Sequence, residues 1–215
     1  MIKHDRMNRA RDGYKFGLTT TQPYVDAFPG GVPREGTLIL EMTDARTGER
    51  LHYFEKKNII TLDAGILAAI LFTDPAARTR GVYMLAVGTG ATGALLSPNA
   101  PDERQRRLNA EIARKPFTST TFRDAGGNAV SIPTHVVDYT AVFGEAEAVG
   151  PLNEMGLTSP ISDSPTSTSP NPDTFPNRTL TLDLGLYDIL VNYLTMSVIS
   201  KPSTAILTIT WRITF

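Results

Sequence analysis

The stretch AILTITWRITF, residues 205–215, alternates without a break. Leu207, Ile209, Trp211, Ile213 and Phe215 fall on one side, and Thr208, Thr210, Arg212 and Thr214 on the other. A period of two marks a strand with one face on a core and the other toward water, the habit of antiparallel sheets. The preceding sequence continues the pattern. NYLTMSVIS (192–200) reads as a strand, KPST (201–204) as the connecting turn, and TLTLDL (179–184) as a further strand.

Further from the C-terminal end, TLILEMTD (37–44) and LHYFEKKN (51–58) form a hairpin. Its turn, ARTGE (45–49), contains Gly48, which is free to take a positive φ. VYMLAV (82–87), residues 152–157 and SIPTHVVDYTAVF (131–143) are further strands. In the last of these, Val137, Tyr139, Ala141 and Phe143 share a side. GTGATGALLSPNAPD (88–102) reads as a long loop.

Two segments read as short helices. TLDAGILAAILF (61–72) has Thr61 as N-cap, Asp63 in its first turn and a stop at Asp74-Pro75. Its Leu62, Ile66, Ala69, Ile70 and Phe72 are apolar, so much of it is expected to be buried. DERQRRLNAEIARKP (102–116) places Leu108 and Ile112 on one helical face, and Pro116 ends it. The expected fold is mainly β: an antiparallel β-sandwich or partly closed barrel with two short helices and an extended N-terminal arm.

The arm covers residues 1–35 and the β-rich body residues 36–215. The first fifteen residues carry Lys3, Arg6, Arg9, Arg11 and Lys15 against Asp5 and Asp12, with no apolar period. TTTQPYVDAFPGGVPREG (19–36) then brings three prolines and three glycines, an extended stretch without a ladder. The other reading is a disordered terminus; Tyr14, Phe16, Tyr24 and Phe28 argue against it, because disordered tails are usually poor in aromatics, and they are expected to anchor the arm on its own domain or on a neighbour. Arg6, Arg9, Arg11 and these four aromatics are the expected assembly interface. Within the body, SPISDSPTSTSPNPDTFP (159–176) holds five prolines and reads as an exposed Ser/Pro-rich insertion.

Composition narrows the chemistry. The chain has 215 residues, with 21 basic and 22 acidic side chains and a net charge of −1. That balance argues against nucleic acid as a partner. There is no cysteine, which excludes disulfides, Cys-based zinc sites, iron–sulfur clusters and thiol catalysis in this chain. No apolar run is long enough to span a bilayer, and the start MIKHDRMNRARDGYKFG lacks the apolar core of a secretory signal.

The sharpest motif is Gly88-Thr-Gly90-Ala-Thr-Gly93, which fits G-x-G-x-x-G and follows a strand. A dinucleotide fingerprint needs a helix N-terminus at the glycines, and Pro98 and Pro101 block one. The segment is instead read as a glycine-rich turn between β elements. Glu145, Glu147 and Glu154 invite a hydrolase reading, but loop acids ordinarily face solvent. His4, His52 and His135 are scattered without metal-ligand spacing. Arg104, Arg106 and Arg107 are offset by Asp102, Glu103 and Glu111, the pattern of a salt-bridged helix face. Asn177-Arg178-Thr179 matches a glycosylation acceptor, which carries no weight without a secretory signal.

One ordered series runs through residues 58–215. It comprises Asn58-Ile-Ile-Thr61-Leu-Asp-Ala-Gly65 leading into an apolar helix, then a strand ending in Ala86-Val-Gly88-Thr-Gly90. Glu111-Ile-Ala-Arg114 follows, then Tyr139-Thr-Ala-Val-Phe143 and Leu152-Asn-Glu154-Met-Gly156-Leu157. The terminal strand carrying Trp211 closes it. In this order the series resembles a family of tailed-bacteriophage virion proteins: tail, collar-fibre or minor structural proteins. Members usually carry a compact Gly-rich segment with an arginine after the Asn-Glu-x-Gly-Leu element, where this chain has the Ser/Pro-rich insertion. The first 57 residues lie outside the match.

The resemblance implies a non-enzymatic assembly protein with no cofactor, metal or small-molecule substrate. Its partners would be other virion proteins and copies of itself, and its location the virion, assembled in the host cytoplasm. It also implies structural roles. Glu111 and Arg114 would pair at i and i+3 on a helix, Glu154 would accept backbone or arginine hydrogen bonds, and the Gly88–Gly93 turn would pack near another backbone. Capsid decoration is the close variant. A host-glycan-binding β module using loops 88–102 and 159–176 is the reading from another class, although Trp211 sits in a core pattern and not on a sugar platform.

Overall fold

A computed structural model describes residues 35–73, 81–159 and 189–215. The arm up to residue 34, the insertion beyond Ser159 and the strand expected at 179–184 lie outside the described residues.

In chain order the elements are β1 (Glu35–Asp44), β2 (Arg50–Ile60), α1 (Leu62–Thr73), β3 (Met84–Gly88), β4 (Gly93–Ala94) and β5 (Ser97–Pro98). Then come β6 (Glu111–Pro116), β7 (Ser119–Arg123), β8 (Ala129–Val130), β9 (Val136–Phe143), β10 (Gly150–Ser159), β11 (Ile189–Lys201) and β12 (Ala205–Thr214). Ten strands form one antiparallel sheet in the order β6-β3-β10-β11-β2-β1-β12-β9-β7-β8. β4 and β5 pair only with each other.

The long strand β2 joins the two halves of the sheet. Arg50 through Asn58 pair with β1, and then Ile59 and Ile60 pair with Tyr193 and Asn192 of β11. One apolar cluster draws on both halves: Leu38, Leu40, Ile209 and Trp211 from one, Leu85, Val87, Met155, Leu157 and Leu194 from the other. Two sheet faces over one core is the arrangement of a β-sandwich. The sheet does not close into a barrel, because β6 and β8 are left as its edges.

The alternation of the last strand holds from Ala205 to Thr214, but Phe215, expected on the core side, lies past the strand end and is exposed. Ala205, Leu207, Ile209, Trp211 and Ile213 are buried, while the residues between them are half-exposed. β10 and β11 behave differently. Residues 152–159 and 189–196 are buried throughout, so that part of the sheet is covered on both faces. Its second face carries a smaller cluster of Ala86, Leu108, Leu190 and Tyr193, with Ile59 packed against it. Among the elements against β11 are α1 and the β4–β5 hairpin.

Four expectations need correction. Much of α1 is expected to be buried, but its Leu62, Ala69, Leu71 and Phe72 are exposed. Among the described residues there is one helix, not two. The second, expected over 102–116, is a turn followed by strand β6. The Leu108–Ile112 spacing suits a helix, but the backbone N–H groups of Asn109 and Ala110 bond to Glu154 instead of to an earlier turn. Glu111 and Arg114 therefore lie on a strand. Thr61 precedes α1 as expected, but its hydroxyl donates to the carbonyls of Leu190 and Val191 in β11 and does not cap the helix. Tertiary partners outbid local propensity at the last three of these places.

Candidate functional site

Part of the ordered motif series converges at two points. The first is on the second face of the sheet, around Glu154. This side chain is fully buried. Its Oε1 accepts hydrogen bonds from the backbone N–H of Gly90 (2.9 Å) and Ala110 (2.8 Å). Its Oε2 accepts from the N–H of Asn109 (3.0 Å) and the phenol of Tyr193 (2.7 Å). Beside it, Asn153 Oδ1 accepts from the N–H of Ala91 at 2.9 Å. One carboxylate thus ties the glycine loop after β3 and the turn before β6 to β10 and β11.

The glycines are required by the closeness of these backbones. A Cβ on Gly88 would stand 2.5 Å from the carbonyl oxygen of Ala110, and one on Gly90 would stand 2.4 Å from its nitrogen. Gly156, on β10 two residues beyond Glu154, leaves room for Leu190, whose Cδ1 would be 2.5 Å from an added Cβ. Gly93 takes a φ of 102° and opens the β4–β5 hairpin.

This geometry explains the G-x-G-x-x-G match. Clustered backbone N–H groups make an anion-binding nest, and here the bound anion is the protein's own carboxylate. The N–H of Gly90, which a pyrophosphate would use, is held by Glu154. Tyr193 fits the same picture: burial first, and then the neighbouring carboxylate, push its phenol far above the ordinary range. Glu154 is shut away from solvent with both oxygens occupied, so it positions loops and offers no accessible base.

The second point of convergence links the two ends of the resemblance. Trp211 is fully buried, and its indole Nε1 donates to Oδ1 of Asn58 at 2.9 Å. Gly36 makes room for that amide, since a Cβ there would stand 2.0 Å from Asn58 Oδ1. Gly65 is different. It lies in α1, and an added Cβ would meet nothing within 4 Å. Nothing in the structure explains a glycine there.

Several other charged residues pair within the chain. Arg114 is 2% exposed and donates through Nε and Nη2 to Glu111 across the register irregularity of β6, where Val87 faces Ala113 and Gly88 faces Glu111. Glu147 accepts from Lys115 Nζ (2.5 Å) and from the N–H of Gly144 (2.7 Å). Burial pushes its carboxyl up, but those bonds and the lysine charges outweigh it and hold the group below the usual range. Lys201 is buried, with Nζ donating to the carbonyls of Gly144 and Glu145. Its desolvation lowers its pKa, against the opposing pull of Glu147 and Glu145.

Asp138 is buried on β9 and accepts from Arg123 Nε at 2.8 Å and from Arg212 Nε at 2.7 Å. Burial raises its pKa, and the two arginines more than reverse that. Asp63 accepts from Arg106 Nε at 2.9 Å, which fixes the start of α1 to the 102–110 turn. The ring of His52 packs edge-on to Phe54, and the His135 carbonyl accepts from the N–H of Phe215.

Sequence reasoning singled out Glu154 and its glycines, with Asn153 in the same motif but given no role, and missed Tyr193 and Asn109, which complete the clamp, and the Asp138 pair of arginines. An acceptor-rich Asn153-Glu154 dipeptide in a strand otherwise buried was the available signal. Arg6, Arg9, Arg11, Tyr14, Phe16, Tyr24 and Phe28 lie outside the described residues, as do His4 and Asn177. No helix among the described residues is long and apolar enough to cross a membrane. No protein-family model and no curated protein sequence matches the chain.

Proposed function

We propose that this chain is a non-enzymatic structural subunit of a tailed-phage virion, assembled in several copies at the neck, tail or baseplate. The observation that carries this reading is the use made of Glu154. The residue of the ordered motif series best suited to acid–base chemistry is sealed in a nest of backbone donors and braces two loops. Asn58 and Trp211, at opposite ends of the same series, likewise bond to each other, the indole buried and the amide half-buried. A series of motifs whose members brace one another suits a scaffold, and its order is what resembles the phage family.

In this reading the partners are other virion proteins and copies of the chain, and the N-terminal arm makes the contacts between them. Extended arms bury large surfaces on a neighbour at an ordering cost. The test is quantitative mass spectrometry of gradient-purified particles of the phage encoding the chain. Several copies per particle, at a ratio fixed to the other tail proteins, support the reading, and absence from particles refutes it. A chain starting at residue 36 should fold yet fail to incorporate; incorporation at the full-length level would remove the arm from the account.

A further inference from the structure

The strand β2 is paired in full on one side only. Arg50 through Asn58 pair with β1, but toward β11 only Ile59 and Ile60 find partners. Beyond them the two strands part. On the β11 side the parted edge is covered. Val198 N–H donates to the Leu95 carbonyl of the β4–β5 turn at 3.0 Å, and the Thr195 carbonyl accepts from Lys56 Nζ at 2.8 Å. On the β2 side, among the described residues, no backbone hydrogen bond reaches the outer edge of Arg50–Lys56. Alternate residues of that stretch therefore point N–H and C=O groups away from β1 with nothing to meet them.

An open edge templates a further strand unless bulges, prolines or charges guard it. β2 has no proline, its register irregularity lies at the Met42–Thr43 end, and Lys56 is turned aside to β11. The side chains along the edge are ready to pack. His52 and Phe54 face the same way as Met42 and Leu40, edge to ring, as a half-buried rim of the core. Tyr53 and Glu55 lie on the outer side, where Tyr53 is 49% exposed.

Residues 14–18 of the arm complement this edge. Tyr14, Phe16 and Leu18 fall on one side, and Lys15 and Gly17 on the other, the period of a strand. Laid antiparallel with Phe16 opposite Phe54, the segment brings Leu18 opposite His52 and so extends the rim. Lys15 then falls opposite Glu55 on the outer side, and Gly17 leaves room for Tyr53, whose ring lies under Arg50. Aromatic pairs and opposite charges set face to face both favour strand pairing. A slip of two residues sets Lys15 against Lys57 or Tyr53 and loses the charge pair.

We infer that Tyr14–Leu18 of one copy adds as an antiparallel strand to the open edge of β2 on a neighbouring copy. Backbone hydrogen bonds would supply affinity, and the alternate side chains the register. The neighbour follows from direction. Past Leu18 the segment heads for the hairpin turn at 45–49, whereas the chain's own Gly36 faces Asn58 at the other end of β2. To rejoin it, the same chain would have to turn back about 20 Å, six residues at ~3.4 Å, along the edge it had just followed. A neighbour's arm runs straight on. An arm on one patch and an edge on another make a heterologous contact, which repeats into a ring or a filament. The inference rests on the arm reading above, and the two fail separately: particle composition tests the one, purified protein the other.

The experiment uses the absence of cysteine from the full chain. Chains carrying Tyr53→Cys are co-expressed with chains carrying Gly17→Cys, and separately with chains carrying Gly13→Cys; a fourth chain carries both Tyr53→Cys and Gly17→Cys. Native tryptophan emission confirms each fold. Bridges are read by non-reducing electrophoresis and by mass spectrometry of the joined peptides. A disulfide needs Cα atoms about 4.4–6.8 Å apart, as in paired strands, and position 13 would stand four residues off, about 14 Å. The expected result is a dimer bridged between positions 17 and 53, about tenfold or more over the yield with Gly13→Cys. No such bridge, an equal yield from position 13, or a bridge found only when one chain carries both cysteines would each overturn the added strand from a neighbour.

Discussion

Replacing Glu154 by Gln keeps the shape of the side chain and removes its charge. Oε1 can still accept from Gly90 and Ala110, at 2.9 and 2.8 Å. The new amide NH2 takes the place of Oε2, which accepts from Asn109 N–H at 3.0 Å and from Tyr193 at 2.7 Å. The phenol can rotate and accept, but the Asn109 N–H cannot, so one donor is stranded. A net ~1.5–3 kcal/mol for a bond to a charged group falls to ~0.5–1.5 for a neutral one, and a stranded buried donor costs ~1–3. Relief from burying a charge offsets part of this. The expected loss is about 2–4 kcal/mol, or about 5–15 °C in Tm at ~2–4 °C per kcal/mol for a domain of this size. Urea unfolding followed by Trp211 emission measures the loss. Amide exchange at Gly90, Asn109 and Ala110 shows whether the two loops are what loosened. A loss under about 0.5 kcal/mol with all three amides still protected would refute the clamp, because it falls within the range of an ordinary surface substitution.

Other substitutions probe the same construction. Gly90→Ala should cost about 2–4 kcal/mol by overpacking against backbone at Ala110. Gly65→Ala should stabilise by about 0.5–1 kcal/mol, because its Cβ meets nothing in α1 and glycine is a poor helix former; paired denaturation curves check both signs. Asn58→Ala strands the indole N–H of Trp211, for a loss of about 1–3 kcal/mol and a changed emission maximum. Asp138 is held below its ordinary value of 3.8 in the folded chain, so its contribution is complete above that value and is lost as pH falls through the lower folded value. Asp138→Asn should therefore flatten the fall of stability with pH below about 4 in an acid titration of unfolding midpoints.

Elements whose own sequence carries a period of two or a turn signal were the readable part of this fold. The period of two in residues 205–215 and the 37–58 hairpin correspond to β12, β1 and β2 with ends shifted by a few residues. β6 was hidden because Leu108 and Ile112 share a helical spacing by coincidence. The deciding interaction is Glu154, more than forty residues along the chain. β7 and β8 form a hairpin around the Asp124–Asn128 turn, where Asp124 Oδ1 accepts from Asn128 N–H at 2.8 Å. This hairpin went unread, because its strands of five and two residues are too short to announce a period. The candidate site was legible as separate motifs and not as a site. Nothing in Gly88-Thr-Gly90 says that its anion will be a glutamate from β10, and nothing in Asn58 says that it will meet Trp211.

The most direct test of the proposed role is immunogold electron microscopy with an antibody to this chain on intact and disrupted phage particles. The account predicts gold at the neck, tail or baseplate, with several grains in symmetric register. Gold spread over the head would move the role to capsid decoration, and no gold on either preparation would contradict the virion assignment altogether.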